Sequence, residues 1–251
     1  MKTVAILQAR MNSTRLPSKV LLPLVGKPML ERQIERINYS ELINELIVAT
    51  SLSGEDQQIE DLCESIGVKC FRGELDDVLD RFYEASKMSN ADLIMRLTGD
   101  CPLIDPFLLD EIISYFKRGD FDYVCNSLEP TYPDGLDAEL FTSRVLTIAW
   151  NEARSNSERE HVTSFIRKSQ GRFKMGCLKN DEDFSDCRWT VDEPEDYELM
   201  KFIYNNLYKE GQVFTWKDVL LLREKYPEQF MVNAKIAKNE GYNKSIQEDD
   251  C

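Results

Sequence analysis

Short apolar runs alternate with amphipathic helices through the first hundred residues, and this pattern leaves few ways to fold. Val4-Ala5-Ile6-Leu7 and Leu46-Ile47-Val48-Ala49 are apolar at every position, as strands covered on both faces are. Between them Met29, Leu30, Ile34 and Ile37 form one helical stripe, with Pro28 at a favoured first position. Ile59, Leu62, Cys63 and Ile66 predict a second helix closed by Gly67, and Val68-Lys69-Cys70-Phe71 a third strand. A third helix carries Val78, Leu79, Phe82 and Tyr83, and residues 92–97 read as a fourth strand. Parallel strands need crossovers, and right-handed crossovers gather the loops after the strands on one rim. Open α/β sheets bind ligands at that rim.

The loop after the first strand, residues 8–19, carries Arg10, Arg15 and Lys19 among the small polar residues Asn12, Ser13 and Thr14. Pro17 keeps Leu16 out of a helix, so the segment stays open. Cations and exposed backbone N–H groups at a strand end suit a polyphosphate, although an ordinary basic surface loop has the same composition. No glycine lies between Met1 and Val25, so neither the Walker pattern nor GxGxxG is present. The fourth strand ends in Thr98-Gly99-Asp100, which sets a carboxylate where it can hold a divalent cation against phosphates. The structural alternative is an aspartate capping the helix that starts near Pro106. Arg72 and Gly73 end the third strand at the same rim.

Further along, residues 123–127 read as a strand, and the Pro133-Asp134-Gly135 turn leads into an alternation that puts Asp137 and Glu139 on one strand face. Such carboxylates coat a solvated face or hydrogen-bond the hydroxyls of a polar ligand. A helix begins at residues 156–163 and carries the one histidine, His161, beside Glu158 and Arg159; it is a packed side chain, a ligand contact or a dimer residue. Residues 188–192 read as a strand ending in Asp192, followed by the acidic helix start Glu193-Pro194-Glu195-Asp196. Capping accounts for some of these acids, and Asp100 with Asp192 can together bind Mg2+. A last helix spans 216–225, and from about residue 238 the chain turns polar and is expected to be loose.

The net charge of −14, from 31 basic and 45 acidic residues, repels a polynucleotide and makes the basic loop a local exception. No apolar run reaches the roughly 18–20 residues of a membrane helix. The chain enters its first strand without a signal peptide, and its seven cysteines are dispersed with no CxxC, which together read as a cytoplasmic protein with reduced thiols. A single histidine and the absence of GxSxG set aside structural zinc and serine hydrolysis. With no repeats and no linker, residues 1–237 are expected to form one domain and 238–251 a flexible tail.

In this order the segments resemble the nucleotide-sugar cytidylyltransferases. LQARMNSTRLPSKVLLPLVGKPML resembles the opening of the 3-deoxy-manno-octulosonate enzymes and, more distantly, the acylneuraminate enzymes. FRGELDDVLDRFYEA, RLTGDCPLIDP, YPDGLDAELF, EREHVT, RWTVDEPEDYELM and FTWKDVL resemble the spore coat polysaccharide biosynthesis protein F family. The likeness runs from residue 3 to about 222. It implies an α/β, Rossmann-like nucleotidyltransferase fold of the glycosyltransferase A type, with a mixed, mainly parallel sheet and helices on both faces. It implies CTP phosphates on Arg10, Ser13, Arg15 and Lys19, and the nucleotide near Leu7, Gln8, Ala9, Arg72 and Thr98. Mg2+ falls to Asp100 and Asp192, and catalysis to Arg10, Lys19 and Asp100.

Asp134, Asp137, Glu139, Arg159 and His161, within about residues 130–180, are assigned to acceptor binding or dimerisation. The implied reaction transfers CMP from CTP to a sugar-like acceptor for surface polysaccharide synthesis, in a cytoplasmic homodimer without nucleic acid or membrane. Gln8 and Cys101 stand where the octulosonate enzymes have Pro and Glu, which leaves the acceptor open. Among the rivals, a sugar-1-phosphate nucleotidyltransferase usually opens with GGxGTRL, whose glycines are missing here. Another nucleotide or a non-sugar acceptor stays open. A glycosyltransferase often carries DxD, which Gly99-Asp100-Cys101 is not. A decayed ligand-binding protein would have lost some of the three cations and two aspartates that remain.

Overall fold

Val4, Ala5, Ile6 and Leu7 are fully buried, because the strand they form has a neighbour on each side and a core on each face. A computed structural model describes residues 1–169 and 171–236. The chain runs β1 (Thr3–Gln8), the hairpin β2 (Pro23–Leu24) and β3 (Lys27–Pro28), α1 (Met29–Ile37), β4 (Glu45–Ser51), α2 (Gln57–Ser65) and β5 (Lys69–Gly73). It continues through α3 (Val78–Met88), β6 (Leu93–Thr98), α4 (Pro106–Gly119), β7 (Tyr123–Cys125), β8 (Glu139–Thr142), α5 (Ser143–Glu152) and α6 (Asn156–Glu160). The remaining elements are α7 (Ser164–Lys168), β9 (Met175–Cys177), α8 (Pro194–Leu207) and α9 (Trp216–Lys225).

Among the described residues the main sheet has seven strands in the order β5-β4-β1-β6-β8-β7-β9. The block β5-β4-β1-β6 is parallel, and so is β7-β9, while β8 runs against both of its neighbours. This is the mixed, mainly parallel sheet expected of the family. Side chains alternate across it: Ala5 and Leu7 pack with α1, α4, α8 and α9, and Val4 and Ile6 with α3, α5 and α7. The chain leaves β1 toward β4 on one side and returns as β6 on the other, so a crevice opens beyond the carboxyl ends of β1 and β6. Gly99 N–H donates to Gln8 O at 2.8 Å and ties the two strand ends together there.

Four expectations from the sequence change. The strand at 123–127 stops at Cys125, because the Asn126 side chain takes over the pairing, donating to Leu136 O at 2.9 Å and accepting from Ala138 N at 3.0 Å. For the same reason β8 starts only at Glu139, so Asp137 precedes the strand and does not share its face. Residues 188–192 form no strand beyond a single bridge between Asp134 and Arg188. The helix at 156 ends after one turn: Val162, buried, has φ +40°, a conformation rare for a β-branched residue, and it turns the chain between α6 and α7. The tail expected at 238–251 lies outside the described residues.

Candidate active site

The loop from Gln8 to Lys19 is held at its root by a buried carboxylate. Asp56 accepts from Met11 N at 2.7 Å and from Ser51 N at 3.1 Å, which fixes the loop to the end of β4. The loop then curls on itself, Ser13 N and Ser18 N both donating to Met11 O at 3.0 Å. It forms one wall of a cleft of about 540 Å³ over the β1/β6 crevice.

The opposite wall comes from two segments ninety positions apart in sequence. Val191 N donates to Asp100 O at 2.8 Å, so the turn after β6 and the approach to α8 run side by side. Asp196 stabilises the second of these. It is fully buried, takes Arg188 through two bonds of 2.9 and 2.8 Å, and accepts from the backbone N–H of Asp192 and Glu193 at 3.0 Å each. Burial opposes its charge, but Arg188 and these N–H donors hold its carboxyl below the ordinary aspartate value. Asp196 thus caps the acidic helix start and leaves Asp192 free for the cleft. The α4 cap is likewise filled by Asp105, which accepts from Phe107 N at 2.9 Å and Leu108 N at 3.1 Å. Asp100 therefore does not cap that helix.

Asp100 and Asp192 converge on one cation. Lys19 Nζ lies 2.7 Å from Asp192 Oδ1, 3.4 Å from Asp100 Oδ2 and 2.8 Å from Val191 O. Burial penalises both charges, yet the attraction between them prevails: the Lys19 pKa is raised and that of Asp100 lowered. Arg15 closes the group, with Nη2 at 3.2 Å from Asp192 Oδ2 and Nε at 3.4 Å from Glu193 Oε1. Two hard carboxylates that meet at Lys19 are a donor set that fits a divalent metal completed by phosphate oxygens. Among the described residues no group of three or more His, Cys, Asp or Glu side chains is placed to hold a metal unaided.

Asp134, Asp137, Glu160 and His161 also line the cleft, with Asp134 Oδ2 3.8 Å from Arg188 Nη1 and His161 Nε2 3.9 Å from Glu160 Oε2. Burial first, and then the neighbouring Asp134 and Glu139, push the Asp137 carboxyl up to about 7. Gly135 allows the approach: at φ +105° its α-carbon faces the Trp189 backbone, and a Cβ there would sit 2.5 Å from Trp189 C. The contact is sealed by Trp189 N donating to Asp134 O at 2.7 Å.

Of the residues singled out in sequence, Gln8, Ala9, Arg10, Ser13, Arg15, Lys19, Thr98, Asp100, Asp134, Asp137, His161 and Asp192 line this one cleft. Four do not. The Leu7 side chain is buried in the α1 core, since alternation along β1 turns it away from the rim. Arg72 is drawn to the outer edge of the sheet, donating to Ser51 O and Ser53 O at 2.9 and 2.8 Å and pairing with Glu60 at 3.0 Å. Arg159 staples α6 to α3 through Asp77, at 3.0 Å from its Nε, and Trp150 O at 2.9 Å.

Glu139 sits beneath the cleft as the hub of a sealed network. It accepts from Arg96, from Arg167 at 3.0 Å, from Tyr123 Oη at 2.5 Å and from Thr163 Oγ1 at 2.7 Å. Burial opposes its charge, but Arg167 and Arg96 hold its pKa down to about 2. Arg96 in turn donates to Gln8 Oε1 at 3.2 Å, so the network positions a residue of the cleft.

Three cleft-lining arginines, Arg81, Arg96 and Arg188, were not singled out in sequence. Arg96 had a signal, a cation inside an otherwise apolar strand. Arg188 and Arg81 read as ordinary polar positions.

Comparison with known proteins identifies the family and the fold. Residues 4–223 match a family model described as Cytidylyltransferase. Spore coat polysaccharide biosynthesis protein SpsF of Bacillus subtilis is 35% identical over 226 residues, covering 86% of this chain and 92% of that protein. The solved structure of a cytidylyltransferase from Leptospira borgpetersenii superposes with a TM-score of 0.87 at 34% identity, covering 92% of this chain and 97% of that one. A CMP:2-keto-3-deoxy-manno-octonic acid synthetase solved with CTP superposes with a TM-score of 0.63 at 20% identity, covering 83% and 100%, and shares the fold.

Proposed function

The chain belongs to the cytidylyltransferase family, and from that premise we propose that it transfers CMP from CTP to a sugar or sugar-acid acceptor, releasing pyrophosphate, for surface polysaccharide synthesis. The observation that carries the reading is the convergence of the loop cations with Asp100 and Asp192 in one cleft at the β1/β6 crevice.

An acceptor hydroxyl oxygen attacks the α-phosphorus, the bond from that phosphorus to the bridging oxygen breaks, and pyrophosphate leaves with the electron pair. Such a transfer needs charge neutralisation and positioning more than a covalent intermediate. Lys19 and Arg15 offset phosphate charge on the loop side. Asp100 and Asp192 would hold Mg2+, whose Lewis acidity supplies neutralisation at the transferring phosphate. Asp137, with a pKa of about 7, suits the proton released by the attacking hydroxyl. Asp134, Asp137 and His161, which line the same cleft, fit the hydroxyls of a sugar-like acceptor. The homodimer rests on the family resemblance and is read by light scattering; the single domain over residues 1–237 rests on the absence of repeats and of a linker in the sequence.

The test is thermal stabilisation by CTP, UTP, ATP and GTP, each with and without Mg2+. A shift confined to CTP with Mg2+, followed by pyrophosphate release in the presence of a sugar-acid acceptor, is expected. A larger shift with another nucleotide would move the substrate class, and no shift with any of them would refute the site.

A further inference from the structure

The cations of the cleft fall into two sets with opposite electrostatics. Lys19 and Arg15 are matched by Asp100, Asp192 and Glu193. Arg10 and Arg81 are not matched. Arg10 is exposed, lines the cleft and has no hydrogen bond or ion pair among the described residues. Arg81 lines the same cleft from α3 and is 2% exposed; its Nη2 donates to Leu75 O at 3.3 Å, and its buried Nε has no partner.

The nearest carboxylates are committed elsewhere. Asp56 serves the Met11 and Ser51 backbone, Asp77 serves Arg159 and the Asp80 N–H, and Asp76 is exposed. Burial and the neighbouring Arg10 both depress the Arg81 pKa. Two guanidinium groups facing one cavity without a counter-ion are costly unless an oxyanion joins them, and planar N–H forks match phosphate well. The Arg81 stem is placed by Gly73 at the end of β5, where a Cβ would meet Arg81 Cγ at 2.7 Å. Gly73 leaves the space that lets Arg81 lie against the cleft.

We propose that Arg81 is a phosphate ligand acting with Arg10, a clamp for the pyrophosphate end of the nucleoside triphosphate that is separate from the Lys19–Asp100–Asp192 group. The proposal rests on the cytidylyltransferase reading and adds to it the groups that hold the leaving pyrophosphate.

The test measures binding of inorganic pyrophosphate, and separately of CTP and cytidine, by calorimetry in EDTA, for the wild type, Arg10→Gln, Arg81→Gln, Arg81→Lys and Gly73→Ala. Arg10→Gln and Arg81→Gln are expected to weaken pyrophosphate binding roughly 10- to 100-fold each, with cytidine binding unchanged. Arg81→Lys keeps the charge and loses less, and Gly73→Ala gives a smaller loss in the same direction. Arg81→Gln binding pyrophosphate like the wild type would overturn the clamp, as would loss of cytidine with pyrophosphate retained, which makes Arg81 a base contact. If Arg81→Gln shows no cooperative melt, Arg81→Lys and the exposed Arg10→Gln decide, and unchanged pyrophosphate binding in both overturns it. A wild type that binds pyrophosphate in EDTA but does not bind CTP even with Mg2+ refutes the cytidylyltransferase reading and leaves the clamp standing. CTP binding with unaffected clamp variants does the reverse.

Discussion

Two carboxylate–cation groups lie within one wall of each other, and they are built on opposite plans. At Glu139 one anion is surrounded by two arginines and two hydroxyls, is 3% exposed, and has its lone pairs filled. At Asp100 and Asp192 two anions share Lys19, while Arg15 and Arg188 reach the outer oxygen of Asp192, and the two acidic side chains remain 29% and 21% exposed to the cleft. The first is sealed and can only hold the fold; the second opens to the cleft and can exchange its side-chain partners for a ligand. Residue type does not separate them, since both mix acids with Lys or Arg. Exposure to the cleft and the number of open lone pairs do.

The largest effect expected from this contrast is on Asp100→Asn. Turnover should fall about a thousandfold or more, roughly 4 kcal/mol at the transition state, while the melting temperature barely moves. A collapse of stability in this variant would erase the distinction between the two groups.

Glu139→Gln should do the opposite, costing about 3 kcal/mol in urea unfolding, because Arg96 and Arg167 lose their shared anion in a buried site. The pH dependence has a defined sign. The Glu139 pKa is depressed to about 2, so its contribution is complete above the ordinary carboxylate value and is lost as pH falls toward 2. Glu139→Gln should flatten the wild-type loss of stability over that acidic range.

Asp137 sharpens the comparison from the other side, as an acid whose burial is uncompensated. With its pKa raised to about 7, the folded state holds an extra proton between the usual aspartate value and neutrality. Stability therefore falls as pH rises through that window. Asp137→Asn should raise the melting temperature at pH 8, relative to pH 5, by roughly 2–4 °C. The same variant should remove an acidic limb near pH 7 from the kcat/KM profile, since the ionised form is the proton acceptor.

The smallest effect is a control far from either group. Val25 and Gly26 turn the β2–β3 hairpin with φ of +48° and +77°, and Val25→Asn should stabilise the fold by about 0.5 kcal/mol without touching activity.

The parallel half of the sheet was legible because each strand there is apolar on both faces and each crossover helix shows one stripe. Position along a strand then decides what reaches the rim, so Gln8, Thr98 and Asp100 could be placed by counting. The other half was harder to read. Asn126 substitutes its amide for backbone pairing and shifts the start of β8, so alternation alone put Asp137 and Glu139 together when one opens to the cleft and the other lies beneath it. Arg81 was hidden because its stem occupies a void left by Gly73, a long-range fit that no local pattern encodes. Arg72 and Arg159 looked like ligand contacts only because their partners, Glu60 and Asp77, are brought to them by tertiary packing.

The hydrogen bond from Val191 to the Asp100 carbonyl also has a consequence in time. A ribosome adding 5–20 residues per second needs roughly 5–18 s to pass from Asp100 to Asp192. During that interval the nascent chain can hold the loop cations and the first aspartate but not the second. The buried Asn233, which donates to Arg188 O at 3.0 Å and Asp196 Oδ1 at 2.8 Å, comes later still. Competence is therefore withheld until Asp192 and Asn233 have been made, and a chain cut short before α8 would carry half a cation site.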